Sequence, residues 1–276
     1  MYEIGLSTPG FINDQLFANM AEAGIKHIEI SVDKRQSDAL DYGKIKEWSE
    51  KYDINLWSFH LPFYPFSEID ISNPELAKKT VEYLKYFIEN GAKIGIDKFV
   101  IHASGEPIKE EDRATRMETA KQSLRELCEF ADNFGAVIAV ENLPRTCLGR
   151  DSKDILELLS TDSRLKSCFD TNHLLQEDSS EYIKAVGEKI ITTHISDYDF
   201  KDERHWLPGE GKIDWQRLYS DLKSIGFDGA WLYELNLTAN HTIDRERDLC
   251  AGDVRKNAEE IFAGKKPTPI GKAKEL

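Results

Sequence analysis

Cysteine is scarce in this chain of 276 residues. The four that occur (Cys128, Cys147, Cys168 and Cys250) are scattered and form no CxxC pair, which argues against a disulfide framework and a structural zinc finger and for reduced thiols in a cytoplasmic protein. Long apolar runs are missing as well. No stretch approaches the roughly 18 residues that a membrane span requires. The start, MYEIGLSTPGF, has neither the basic opening nor the apolar core of a signal peptide. A cytoplasmic location without a membrane partner is therefore expected. Positive charge is in deficit: 36 Lys and Arg face 50 Asp and Glu, a net charge of −14, which disfavours non-specific binding to phosphate backbones. The one basic cluster is the end, GKKPTPIGKAKEL, whose Pro and Gly content predicts an irregular tail over 265–276. A glycine-rich turn after the first β-rich run is also absent. STPGF and SVDKRQS lack the dinucleotide-binding fingerprint of a doubly wound sheet.

What is present alternates. With 40% apolar and 31% charged residues the chain can bury a sizeable core. β-rich runs recur at 2–7, 27–32, 54–60, 97–103, 136–142, 165–171, 190–196 and 230–235, most of them nearly continuous apolar stretches, as expected of strands buried on both faces. Helical spacing fills the gaps. Met117, Ala120, Leu124, Leu127, Ala131 and Phe134 form one stripe, closed by Gly135. Another helix is expected to open with Asn73 as cap and Pro74 in its first turn, carry Ala77, Val81, Leu84 and Ile88, and end at Gly91. Asp214 caps a third, with Leu218, Leu222 and Ile225 inside and Gly226 after it. Eight strands alternating with helices, with no internal linker, predict a single-domain α/β fold, a (β/α)8 TIM barrel over 1–264.

In such a barrel active sites lie at the C-terminal ends of the strands. Runs three to eight end in His60, His102, Glu141, Asp170, His194 and Glu234. Each alone has an ordinary structural explanation. Together they do not, because buried carboxylates packed without cations repel one another, and few basic residues adjoin these ends. A divalent metal would resolve the electrostatics and makes Asp170 a candidate ligand. His173, three residues on, reaches towards the same cavity. So does His205, from the loop DERHWLPGEG, which follows the seventh run and includes Glu203.

The ordered set FHLPF, VIHAS, VENLP, FDTNH, THISD, RHWLPGEGKIDW and YELN resembles the xylose-isomerase-like barrel superfamily across nearly the whole chain. That group holds sugar isomerases, ketose 3-epimerases, hydroxypyruvate isomerases, inosose dehydratases and nucleases of the endonuclease IV type. For the epimerase branch the resemblance implies metal ligands at Glu141, Asp170, His194 and Glu234, with the two glutamates doubling as acid and base and His173 contacting substrate. For the nuclease branch it implies a three-zinc cluster with extra ligands at His60, His102, His173, His205 and Glu203, where the nucleases carry Asp. The ketose 3-epimerases have a further Glu soon after the strand-five ligand, where this chain reads NLPRTCLG. They also have an Arg six residues past the strand-seven His, where it has Phe200. Both departures point away from a free ketohexose.

The chemistry follows from the residue types. One divalent metal, Mg or Mn for an oxygen-rich shell and Zn if more imidazoles join, polarises a carbonyl. Glu141 and Glu234 then pass a proton to and from the adjacent carbon. His60 and His102 are expected to orient substrate hydroxyls, with His173, His205 and Glu29 reaching the pocket. Trp206, Phe63 and Tyr64 would form apolar walls, and Trp57 is read as packing. The expected function is a metal-dependent isomerase or epimerase of a sugar or sugar-derived substrate. A dehydratase of a cyclic polyol ketone and a zinc phosphodiesterase on abasic DNA are the alternatives. The loops VDKRQSDA and LPFYPFSEIDISN carry few bases, which favours a small sugar over nucleic acid. The oligomeric state, a homo-oligomer included, is left open.

Overall fold

The computed structural model describes residues 1–32 and 34–274. Asp33, in the first of the loops read above as poor in bases, and the last two residues of the expected tail lie outside the described residues. Eight strands, β1 (Ile4–Ser7), β2 (His27–Ile30), β3 (Asn55–His60), β4 (Lys98–His102), β5 (Val137–Glu141), β6 (Lys166–Asp170), β7 (Ile190–His194) and β8 (Trp231–Tyr233), pair in parallel in the order β7-β6-β5-β4-β3-β2-β1-β8. The two ends meet where Ile195 bridges Tyr233 and the Ile195 amide donates to the Leu232 carbonyl at 2.8 Å. This is the (β/α)8 barrel, in one domain, that the alternation predicts.

The pleat decides which side chains reach the site. Along β5, Ile138 and Val140 join the large core under the helices, whereas Ala139 belongs to a small separate cluster with Val100 and Cys168. Side chains two apart share a face. His102, Glu141 and Asp170 therefore project on the same side as Val100, Ala139 and Cys168, one layer nearer the rim. Small residues beneath leave room for the long polar ones above.

The helices are α1 (Asp14–Glu22), α2 (Lys34–Ser37), α3 (Tyr42–Tyr52), α4 (Ala77–Lys93), α5 (Arg113–Asp132), α6 (Ser152–Leu159), α7 (Ser179–Val186), α8 (Trp215–Ser224) and α9 (Ala251–Phe262). α5 buries Met117, Ala120, Leu124, Leu127 and Ala131 as the stripe predicts, but Phe134 falls past its end and is 39% exposed. Asp214 caps α8, accepting from the Arg217 amide at 3.1 Å. α4 departs from expectation at both ends. Asn73 holds a separate turn, taking the Glu75 amide on its side chain and the Ala77 amide on its carbonyl, and the helix starts only at Ala77. At the other end it runs through Gly91. Glycine is needed there for space, since a Cβ would lie 2.8 Å from the buried Phe99 ring.

Residues after Gly264 are tied down. A short strand β10 (Lys272–Ala273) pairs antiparallel with β9 (Ile243–Asp244). The Gly271 amide donates to Glu210 at 2.6 Å, and Glu210 is fully buried against Arg245. No helix among the described residues is long and apolar enough to cross a membrane.

Candidate active site

Glu141, at the end of β5, is the hub. It is fully buried, and four imidazoles surround it: His60 Nε2 and His102 Nε2 each 3.1 Å from Oε2, His194 Nδ1 3.0 Å and His173 Nδ1 3.4 Å from Oε1. Burial alone would push its carboxyl up, but His194 and His102 outweigh that and hold it well below the usual range. His60 and His102 stand edge to face, with ring centroids 4.9 Å apart, and Phe63 stacks on His102 at 4.0 Å. Burial pulls His102 below its ordinary value, whereas the Glu141 carboxylate overrides burial at His60 and raises it.

Asp170, next door on β6, has two unlike oxygens. Oδ1 accepts the amides of Asn172 at 2.6 Å and His173 at 3.1 Å, so it caps the turn, the ordinary structural part of a loop Asp. Oδ2 is buried with no hydrogen-bond partner, 3.6 Å from His173 Nδ1 and 3.8 Å from His194 Nδ1. Burial pushes this carboxyl up to about 7, against the pull of His173. Asn142 fixes the edge beneath: its side chain takes the Asp170 amide and donates to the Asp170 carbonyl, both at 2.8 Å.

His194 on β7 turns its two nitrogens opposite ways. Nδ1 faces Glu141, Asp170 and, at 3.5 Å, Glu234. Nε2 lies 3.0 Å from Glu29 Oε1, and Ser58 donates to the other Glu29 oxygen at 2.7 Å. Glu29, fully buried, thus sits behind His194 rather than on the cavity. A carboxylate behind an imidazole is the arrangement that orients a metal-binding histidine. Glu141, Asp170, His194 and Glu234 each offer a ligand atom within 4.8 Å of one another, and His60, Glu141 and His194 form an overlapping group. An unpartnered buried carboxylate oxygen, two further carboxylates and one carboxylate-backed imidazole fit a divalent cation.

The loop after β7 completes the wall. Buried Asp197 knots it, accepting from the amides of Tyr198, Gly209 and Ile213 and from the Trp215 ring at 2.8–3.1 Å. His205 has a left-handed backbone with φ of 51°, which costs a non-glycine residue about 1–3 kcal/mol and persists only where neighbours impose it. They do. Asn172 accepts the amides of Arg204 and His205, and the Asn236 amide donates to the His205 carbonyl. His205 Nδ1 then lies 3.6 Å from Glu234, and Glu203 meets His173 Nε2 at 3.1 Å.

His60, His102, Glu141, His173, Glu203, His205 and Glu234 line a cavity of about 240 Å³ together with Phe63, Phe66, Glu106 and Arg145. Three side chains expected at the pocket, Trp206, Tyr64 and Glu29, do not line this cavity. Trp206 is buried, paired through its backbone with Asp197, and its ring donates to Thr242 at 2.9 Å. One cation that the sequence reading did not place in the site is Arg145, four residues past Glu141, which ion-pairs with Glu106, Asp202 and Glu203. Its signal, a lone Arg in the loop after a strand-end Glu, was present in NLPRTCLG. Tyr64 is 63% exposed and lines none of this cavity, Phe63 does, and Trp57 lies at the opposite end of the barrel beside Tyr2 and His27.

A model of the xylose isomerase-like TIM barrel family matches residues 17–250. The chain belongs to this family. Over 260 residues it is 24% identical to an uncharacterized protein of Methanocaldococcus jannaschii, covering 92% of this chain and 98% of that one. Fructoselysine 3-epimerase of Shigella flexneri is 30% identical over 149 residues, 49% of this chain and 54% of that protein. Among solved structures, a D-tagatose 3-epimerase-like protein superposes with a TM-score of 0.80 at 22% identity, over 95% of this chain and 97% of that one, a likeness of fold. Relatives within the xylose isomerase-like TIM barrel family thus include sugar epimerases. Phe200, six residues past His194, is 54% exposed.

Proposed function

We propose that this protein is a metal-dependent epimerase or isomerase acting on a ketose-type sugar by proton exchange at the carbon beside the carbonyl. The observation that carries the reading is Asp170 Oδ2, buried without a partner and facing the oxygens of Glu141 and Glu234 across His194 Nδ1. Asp170, His194, Glu141 and Glu234 would hold one divalent cation, Mg or Mn suiting three carboxylates and an imidazole, Zn being the other candidate. Such a cation supplies polarisation of the substrate carbonyl and stabilisation of the enediolate charge. Glu141 and Glu234 both reach the cavity and are assigned the proton work, one taking the proton from carbon and the other returning it. His60 and His102 orient substrate hydroxyls from the wall beside Phe63. Glu29 keeps His194 Nδ1 aimed at the cluster.

A three-zinc phosphodiesterase would need Glu203, with His173 and His205, as a further ligand set. Those three do converge, but the Arg145 guanidinium already lies 2.9 Å from Glu203 and supplies the positive charge there. That favours one cation per chain. The test is turnover of a ketose panel in deuterated water with Mn. Deuterium is expected on the carbon next to the carbonyl. Glu141→Gln or Glu234→Gln should slow the reaction by about 10²–10⁴-fold, the usual worth of a proton-transfer group. Turnover without label, with both variants near wild-type rate, would overturn the mechanism. Three zincs per chain by elemental analysis would overturn the single-cation reading.

A further inference from the structure

His205 and Glu234 stand between two spaces. On one side is the 240 Å³ cavity; on the other lies a chamber of about 550 Å³ formed by the ends of β1 and β2 and the segment after β8. The inner cavity alone is smaller than the about 300–1,000 Å³ of ordinary small-molecule sites, and the two together fall within that range. We propose that the outer chamber receives a second sugar ring, so that the substrate is a ketose carrying a glycosyl substituent. This names the substrate class for the function proposed above and rests on that reading.

Three features of the lining choose this occupant. Ser7, 6% exposed, lines the chamber and carries a buried hydroxyl with no partner, and buried polar groups are otherwise nearly always satisfied. Its neighbour Thr8 is already spent, accepting from the Ser31 amide at 2.7 Å and donating to the Ser31 carbonyl. Phe11, 53% exposed, offers an aromatic surface, and Leu237 adds apolar area. A sugar ring has an apolar face for such a surface and a rim of hydroxyls for Ser7 and for Asp248, which has no ion-pair partner among the described residues. Finally, no Lys or Arg is among the described residues lining the chamber, while Glu234 and Asp248 are. A phosphoryl or carboxylate substituent would be repelled there.

The experiment compares a free ketohexose with ketoses bearing a glucosyl unit on O1, O4 or O6, and with a ketose phosphate. It uses the Mn-loaded protein and reads kcat/KM from deuterium uptake. One or two hydrogen bonds and an aromatic contact predict that at least one glucoside exceeds the free ketose by about tenfold, and that the phosphate does not. Phe11→Ala and Ser7→Ala should each cut that ratio several-fold. Both should fold, one side chain being exposed and the other hydroxyl making no bond. If the free ketose is turned over as well as every glucoside, or if both variants leave the ratio unchanged, the chamber proposal is overturned while the proposed function stands. If no ketose takes up deuterium, the functional reading falls, and calorimetric binding judges the chamber. Tighter binding of a glucoside than of free ketose supports it, and equal binding overturns it.

Discussion

Asp170 divides its work between its two oxygens, and that division makes it testable. Oδ1 closes the turn onto Asn172 and His173, and Oδ2 has no bond to lose. Asp170→Asn keeps an oxygen for the turn and puts an uncharged amide at the cluster. The variant should keep the wild-type circular dichroism spectrum and lose divalent metal at concentrations that saturate the wild type, as elemental analysis after dialysis would read. Full occupancy in the variant would remove Asp170 from the proposed ligands. The same distinction between a structural and a free atom explains Glu29. One oxygen accepts from Ser58 and the other lies 3.0 Å from His194 Nε2, so the role proposed for it is exercised through His194.

At the level of elements, α4 and β4 show how close packing decides chain identity. Gly91 is inside a helix, where Ala would normally be favoured by about 0.5–1 kcal/mol. Here the added methyl would press on Phe99, itself fully buried between neighbours. Gly91→Ala should therefore destabilise by about 1–3 kcal/mol, the usual cost of overpacking. A melting temperature several degrees below wild type is the expected reading. An unchanged or higher value would mean that the helix and strand separate easily. Asn142 plays the opposite part: its side chain adds two hydrogen bonds to the β5–β6 edge, where Glu141 and Asp170 must stand side by side.

Across the whole molecule, the last described residues support the loop that carries Glu203 and His205. Gly271 donates to buried Glu210, which pairs with Arg245 and accepts the Leu207 amide at 2.9 Å. The Pro267 carbonyl packs so close to Gly209 that a Cβ would not fit. Removing residues 265–276 should leave the barrel folded, since its eight strands lie elsewhere. It should cost about 1–3 kcal/mol through the exposed or unsatisfied Glu210 pair. Limited proteolysis should then cut first within 199–211. A variant as stable as the full chain, with an uncut loop, would show that the tail carries no load.

The alternation of apolar runs and helical stripes, and the polar residue closing each of six strands, were enough to determine the barrel and to indicate which residues stand on its rim. Periodicity and strand ends are local properties, so local sequence carries them. Where α4 starts, why Gly91 is a glycine and why Trp206 turns inward to Thr242 were settled by packing partners remote in the chain. The same holds for Arg145. Its position was visible, but its three carboxylate partners come from the loops after β4 and β7, which only the closed barrel brings together. Chain order says which residues face the axis. The closure of eight strands around it says which of them touch.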